Sequence, residues 1–127
     1  MYNYLEAQVA RTIIAAGMTY EYEKRFNDKN INGFFSVDFR IRELPAIVEV
    51  TYWDSIAHKS SIITRKFDNL KERIRGHSFV VVTKPSMCEH YKGLLPDYVT
   101  VLSATQLGLF LAGLRNSKRS GVTNSEK

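Results

Sequence analysis

The sequence predicts an α/β domain in which helices flank a mixed central sheet. Apolar and polar residues alternate through three segments between residues 20 and 53, as in half-buried strands, and residues 79–82 form a continuous apolar run typical of an interior strand. Apolar residues also recur at helical spacing before, between and after these segments. The 127 residues fit one domain that is large enough to fold without a disulfide.

The first half of the chain predicts one helix and a three-stranded meander. Leu5, Val9 and Ile13 have helical spacing, and Asn3 followed by Glu6 has the spacing of a capping box. Residues rich in Asn, Asp and Gly predict a turn between the first two strands. The strands are expected at residues 20–26, 35–41 and 46–53.

The second half of the chain predicts helices and strands in alternation, which gives the order αβββαβαβα. Ile63, Phe67 and Leu70 place a helix from about residue 60 to 75. A strand, a short helix, another strand and a last apolar helix are expected at residues 79–83, 85–95, 98–102 and 104–114. We expect a single domain over residues 1–115 and a disordered basic tail over residues 116–127, which are rich in Ser, Asn and Lys.

The composition narrows the classes of function. A net charge of +5, concentrated between residues 59 and 75 and in the tail, favours a polyanionic partner or, alternatively, describes a solvated helix face. The single cysteine excludes an internal disulfide, and the absence of a glycine-rich phosphate loop argues against a nucleotide cofactor. No apolar run is long enough for a membrane span, so we expect a cytoplasmic protein, or one inside a host cell if it is viral.

Two acidic residues are predicted to meet on the second and third strands. If the turn between these strands is built on Glu43 and Leu44, opposed residue numbers sum to 87 and Asp38 faces Glu49. Opposed residues point to the same face, and like charges there repel unless a divalent cation lies between them. The register is an assumption at this point, because a slip of one residue would place the acids on opposite faces.

These residues resemble the motif of a known nuclease family. Residues 36–38 (SVD) followed by residues 47–51 (IVEVT) resemble the PD-(D/E)XK motif of restriction-endonuclease-like nucleases, and the order of predicted elements is also similar. The resemblance implies a restriction-endonuclease-like core and hydrolysis of phosphodiester bonds with Mg²⁺, for which Mn²⁺ would substitute. It implies that Asp38, Glu49 and the carbonyl of Val50 ligate the metal, with Glu6 as an accessory acid.

The sequence departs from the family motif at two positions. Val37 stands where the motif has proline, and Thr51 stands where it has the lysine that orients the attacking water. Some members of the family supply this lysine from a neighbouring element. Lys66 on the following helix is our first candidate, ahead of Lys24 and Lys59, and Thr51 itself would only position a water.

The resemblance implies a Mg²⁺-dependent DNA endonuclease that acts as a homodimer and selects junctions, branched DNA or ends. Lys59, Arg65 and Arg40 are the predicted phosphate contacts, beside Lys66. Two alternatives stay open: a degenerate module that binds nucleic acid without cutting it, and an interaction subunit that docks through the apolar last helix. The simpler interpretation of Asp38 and Glu49 is a pair of solvent-facing acids, and the capping box alone would account for Glu6.

Overall fold

The computed structural model describes residues 3–28, 33–51 and 55–125, with side chains described as far as residue 116. It confirms an α/β architecture in which helices flank a mixed five-stranded sheet. In chain order the elements are α1 (Tyr4–Ala15), β1 (Glu21–Asn27), β2 (Phe34–Ile41), β3 (Ala46–Val50), α2 (Ile56–Lys71), β4 (Ser78–Val82), a 3₁₀ turn (Pro85–Met87), α3 (Cys88–Leu94), β5 (Val99–Leu102) and α4 (Ala104–Ser125).

The five strands follow one another across the sheet in sequence order. The first three form an antiparallel meander, whereas β3, β4 and β5 are parallel and are joined through α2 and α3. The carboxyl ends of three parallel strands therefore meet at one edge, which is where open α/β sheets commonly bind ligands.

The predicted register of β2 against β3 is confirmed. Phe39 opposes Val48, Arg40 opposes Ile47, and Ile41 opposes Ala46, and each pair of numbers sums to 87. The connecting turn spans residues 42–45, centred on Glu43 and Leu44 as the sequence predicted.

Each face of the sheet carries its own hydrophobic core. On one face, α1 and α4 pack against Phe39, Val48 and Val80. On the other face, α2 and α3 pack against Ile47 and Val81. Because both faces are covered, the central strands are apolar on both sides, which accounts for the continuous apolar run in β4.

The β1–β2 hairpin changes direction at the level of Asp38. Val37 lies in the core beneath α2, whereas Phe39, two residues later, lies in the core beneath α1 and α4. Opposite this point Glu23 has a positive φ of 51°, a conformation that side chains with a Cβ rarely adopt. The outer half of the hairpin therefore bends towards α2, and Asp38 lies at the bend.

Three predicted boundaries differ from the structure. The second helix begins at Ile56 and ends at Lys71, about four residues earlier than predicted, and Ile56 extends the apolar stripe by packing against the same core as Ile63. The last helix spans Ala104–Ser125 and therefore extends beyond its predicted end at residue 114. The third strand ends at Val50. Its predicted continuation through Trp53 reaches residues 52–54, which lie outside the described residues.

The last helix buries some of the apolar residues on which the interaction-subunit alternative depends and exposes another. Leu107 and Leu111 are fully buried against the sheet, and Leu109 is the exposed leucine of this helix within the described side chains. Within the described ranges, no helix has the length and apolar character needed to cross a membrane.

Candidate active site

The structure brings Asp38 and Glu49 side by side where β2 and β3 separate. The N–H of Asp38 donates to Glu49 Oε1 at 2.8 Å, and the N–H of Val50 donates to Asp38 Oδ2 at 2.7 Å. The regular backbone pairing ends one residue earlier, at Phe39 and Val48. Each carboxylate therefore completes the hydrogen bonding of the other strand, and the two acids project from the same position of the sheet.

Both carboxylates lie in a desolvated environment that disfavours their charge. Glu49 is 6% exposed, and Asp38 is half-buried. The pKa of Asp38 is raised from an ordinary 3.8 to about 7, first by burial and then by the neighbouring charge of Glu49. Burial also raises the pKa of Glu49, against the lowering effect of the Lys66 ammonium. The pair is therefore not the solvent-facing pair of acids that the simpler interpretation offers.

Lys66 supplies the positive charge at this pair. Its Nζ lies 3.3 Å from Glu49 Oε2, and its side chain is 22% exposed. Lys59 lies two helical turns earlier on α2, and its charge lowers the pKa of Glu49 without a direct contact. Lys24 instead pairs with Glu21 at 3.4 Å. Of the three candidate lysines, the structure therefore places Lys66 at the carboxylates.

Thr51, at the position of the motif lysine, has a different environment. Its Oγ1 lies 3.0 Å from the hydroxyl of Tyr91, and its N–H donates to the carbonyl of Val82 at 2.9 Å. The residue is 3% exposed. Thr51 therefore links β3 to α3 and β4, and its hydroxyl is engaged by Tyr91.

Glu6 both caps α1 and contributes charge to the site. Asn3 Oδ1 accepts from the N–H of Glu6 at 2.7 Å, and the N–H of Asn3 donates to Glu6 Oε1 at 3.1 Å, which confirms the capping box. The hydroxyl of Tyr22 donates to the same Glu6 oxygen at 3.2 Å. The charge of Glu6 also contributes to the raised pKa of Asp38. No group of three His, Cys, Asp or Glu side chains in the described part of the chain is arranged to hold a metal ion.

Arg65, predicted to contact phosphate, pairs with a buried acid. Its guanidinium donates to Asp28 Oδ2 at 2.7 Å, and Asn69 donates to Asp28 Oδ1 at 3.0 Å. The side chain of Asp28 is 2% exposed, so these two residues satisfy a carboxylate that has little access to water. This pairing ties the β1–β2 hairpin to α2.

Arg40, the other arginine predicted to contact phosphate, is packed over the sheet. Its guanidinium carbon lies 5.7 Å from the ring centre of Phe26, and its Nη2 lies 3.4 Å from Nε2 of His77. Glu21 lies 4.0 Å from its Nη1. These contacts hold Arg40 among neighbouring side chains on the same face as Asp38.

Sequence reasoning missed two polar residues, Tyr22 beside Glu6 and Asp28 in the hairpin that carries Asp38. Tyr22 fits a strand pattern, and nothing local indicates that its hydroxyl reaches Glu6. Asp28 lies in a segment that predicts only a turn, and its partners Arg65 and Asn69 are 37 and 41 residues away in the chain. A tertiary contact of this kind leaves no periodic signal.

Comparisons of the chain with family models, with curated proteins and with solved structures gave no match. The chemistry of the site is therefore inferred from its own residues. Two opposed carboxylates with raised pKa values and one adjacent ammonium form a group that can bind a hard cation or move a proton.

Proposed function

We propose that the protein is a metal-dependent DNA endonuclease with a restriction-endonuclease-like core, which hydrolyses phosphodiester bonds. One observation carries the proposal: Asp38 and Glu49 lie side by side at the end of β3, with the ammonium of Lys66 3.3 Å from Glu49. The pairing supports the sequence resemblance, because the motif lysine that Thr51 replaces has a counterpart on α2.

The donor set fits Mg²⁺, for which Mn²⁺ would substitute. Mg²⁺ is commonly held by one or two protein carboxylates together with substrate phosphate oxygens and water, so Asp38, Glu49 and the carbonyl of Val50 would suffice. A cation would also neutralise two like charges that burial otherwise disfavours. When bound, the ion would act as a Lewis acid on the phosphate and lower the pKa of its water.

The protein's own groups would orient the reactants. Asp38 and Glu49 are fixed by backbone N–H groups, so their position does not depend on free side-chain rotation. Lys66 would donate a hydrogen bond to the attacking water or to a phosphate oxygen, where negative charge develops during hydrolysis. Glu6, held by Tyr22, would act on the site as an accessory acid through its charge.

The proposed substrate is DNA, recognised through its backbone. Lys59 and Lys66 lie on α2 near the carboxylates, and the chain carries a net charge of +5. Phosphate contacts give affinity that falls with salt and carry no base sequence. A domain of this size has little surface for base contacts, so we propose that it selects junctions, branched DNA or ends, as a homodimer whose two sites address two strands.

The decisive experiment is a cleavage assay on supercoiled plasmid and on a four-way junction with Mg²⁺ or Mn²⁺. We expect cutting by the wild type, loss in Asp38→Asn, Glu49→Gln and Lys66→Met, and full inhibition by chelator. Glu43→Gln and Lys92→Met are matched controls, because Glu43 binds Thr19 and Lys92 pairs with Glu89 away from the site. Light scattering of the same samples measures whether they are dimers.

The same assay separates the alternatives. Salt-sensitive DNA binding that is unchanged by Asp38→Asn and by chelator, with no cutting under any condition, would refute the nuclease and select the degenerate binding module. Absence of both binding and cutting would select the interaction subunit. The substitution to test that alternative is Leu109→Asp, since Leu109 is 79% exposed whereas Leu111 is part of the core.

A further inference from the structure

A second concave site lies at the same edge of the sheet as the acidic pair. It is a cavity of about 370 Å³ at the carboxyl ends of β4 and β5, between the first turns of α1 and the start of α4. Leu5, Pro85 and Ala104 line its walls. Its size and its largely apolar walls with a few polar groups are typical of small-molecule sites.

The polar groups of this cavity favour an anion. Thr83, which follows β4, is fully buried, and its Oγ1 has no hydrogen-bond partner within the described residues. Lys84 also lines the cavity and is exposed. A buried hydroxyl without a partner is costly in the free protein, so a ligand that hydrogen-bonds Thr83 would satisfy it.

The start of α4 adds a second feature that attracts negative charge. Ser103 caps this helix: Gln106 Oε1 accepts from the N–H of Ser103 at 3.0 Å, and Ser103 Oγ accepts from the N–H of Gln106 at 3.4 Å. The remaining N–H groups of the first turn have no carbonyl partner inside the helix, and the helix dipole is positive at this end. Ser103 and Ala104 both line the cavity, so these groups lie at its wall.

The cavity lies beside the proposed catalytic site. Leu5 in its wall directly precedes Glu6, whose charge acts on Asp38. Thr83 follows the end of β4, which pairs with β3, and neighbouring strands are about 4.8 Å apart. A ligand in the cavity would therefore lie within a few strand widths of Glu49.

We propose that this cavity binds one nucleoside monophosphate unit. Its phosphate would lie at the start of α4 near Lys84 and Thr83, and its base would pack against Leu5 and Pro85. The unit comes either from a free mononucleotide or, resting on the proposed nuclease function, from the nucleotide next to the bond that is cut. Both sources present the same chemistry, a planar aromatic base joined through a sugar to a phosphate.

The test is a binding measurement under conditions that prevent metal binding at Asp38 and Glu49. Isothermal titration in EDTA, with the Asp38→Asn protein, uses dAMP and a 5′-phosphorylated trinucleotide as probes. We expect millimolar or tighter binding, weakened about tenfold by Thr83→Val and by Lys84→Met. Ser60→Ala and Lys92→Met are the matched controls and should leave affinity unchanged. Ser60 Oγ is likewise buried without a partner among the residues that the structure describes, but it lies on α2, and Lys92 lies on α3.

The outcomes separate this proposal from the nuclease itself. Equal affinity for both probes would assign the cavity to free mononucleotides, and tighter binding of the trinucleotide would assign it to a strand. No binding of either probe, or binding unchanged in both cavity variants, would overturn the proposal even if DNA is cut. A urea unfolding curve of the Thr83→Val protein tests whether weaker binding reflects misfolding. We expect its unfolding midpoint to be at or above that of the Asp38→Asn protein, since the substitution removes no hydrogen bond.

Discussion

Replacement of Asp38 by Asn should stabilise the metal-free protein at pH 8, although it removes a residue of the proposed active site. The pKa of Asp38 is about 7 in the folded protein against an ordinary 3.8, a difference of about three pH units. At 1.36 kcal/mol per unit, the charged form of Asp38 destabilises the fold by about 4 kcal/mol. Asn keeps an oxygen that can accept the N–H of Val50 but carries no charge to desolvate.

The sign of the pH dependence follows from the raised pKa. The contribution of Asp38 to stability is fully present below pH 3.8 and is lost as the pH rises to about 7, because the unfolded chain ionises first. Between pH 5 and pH 8 the wild type should lose about 3 kcal/mol, and Asp38→Asn should lose much less. For a domain of this size, the gain at pH 8 corresponds to about 15 °C in Tm.

Urea unfolding at pH 5 and pH 8 in EDTA measures the effect. Adding Mg²⁺ at pH 8 should restore stability to the wild type and leave Asp38→Asn unchanged. Glu43→Gln is a control that should change stability in the opposite direction. The hydrogen bond from Thr19 lowers the pKa of Glu43, so the charged form of Glu43 stabilises the fold, and removing that charge should weaken the fold slightly at neutral pH. Equal wild-type stability at pH 5 and pH 8, or an Asn variant weaker than the wild type at both, would refute the reasoning.

Three further substitutions test the contacts around the pair. Lys66→Met should bind Mn²⁺ more tightly than the wild type, because the ammonium at Glu49 competes with a cation. The same variant should cleave DNA at least about 100-fold more slowly. Weaker Mn²⁺ binding would contradict this reasoning. Asp28→Ala should lower the unfolding free energy by about 2 kcal/mol and increase protease cutting in the hairpin, because Arg65 and Asn69 lose their buried acceptor. Thr51→Lys should destabilise the fold and not accelerate cleavage, since its side chain is buried at Tyr91; faster turnover would show that the motif position still faces the substrate.

The sequence was sufficient to predict the sheet near the acidic pair because a tight turn fixes the register of the strands that it joins. Placing the turn on Glu43 and Leu44 determined that Asp38 opposes Glu49, and the observed pairing agrees. The approach of Lys66 was predictable as well, since α2 follows directly after the strand that carries Glu49. Both inferences used residues that are close in the chain.

The features that the sequence did not predict depend on contacts between distant segments. The sequence alone does not distinguish an Arg65 that contacts DNA from an Arg65 that pairs within the protein. The bend of the hairpin is what brings Asp28 next to Arg65. The bend lies at Glu23, and no local sequence pattern predicts the positive φ of this residue. The cavity beside Thr83 is formed by three segments from the beginning, middle and end of the chain, so no single stretch of sequence encodes it.

The reciprocal hydrogen bonds of Asp38 and Glu49 have a consequence for how the protein meets a cation. Because each acid is anchored by a backbone amide at 2.8 or 2.7 Å, side-chain rotation does not relieve the mutual repulsion of the two charges. Below about pH 7 protonation of Asp38 removes this repulsion, whereas at higher pH the repulsion remains until a cation binds, and its relief then adds to the affinity for the cation. Metal loading should therefore tighten steeply as the solution becomes more alkaline, with no accompanying rearrangement of the polypeptide.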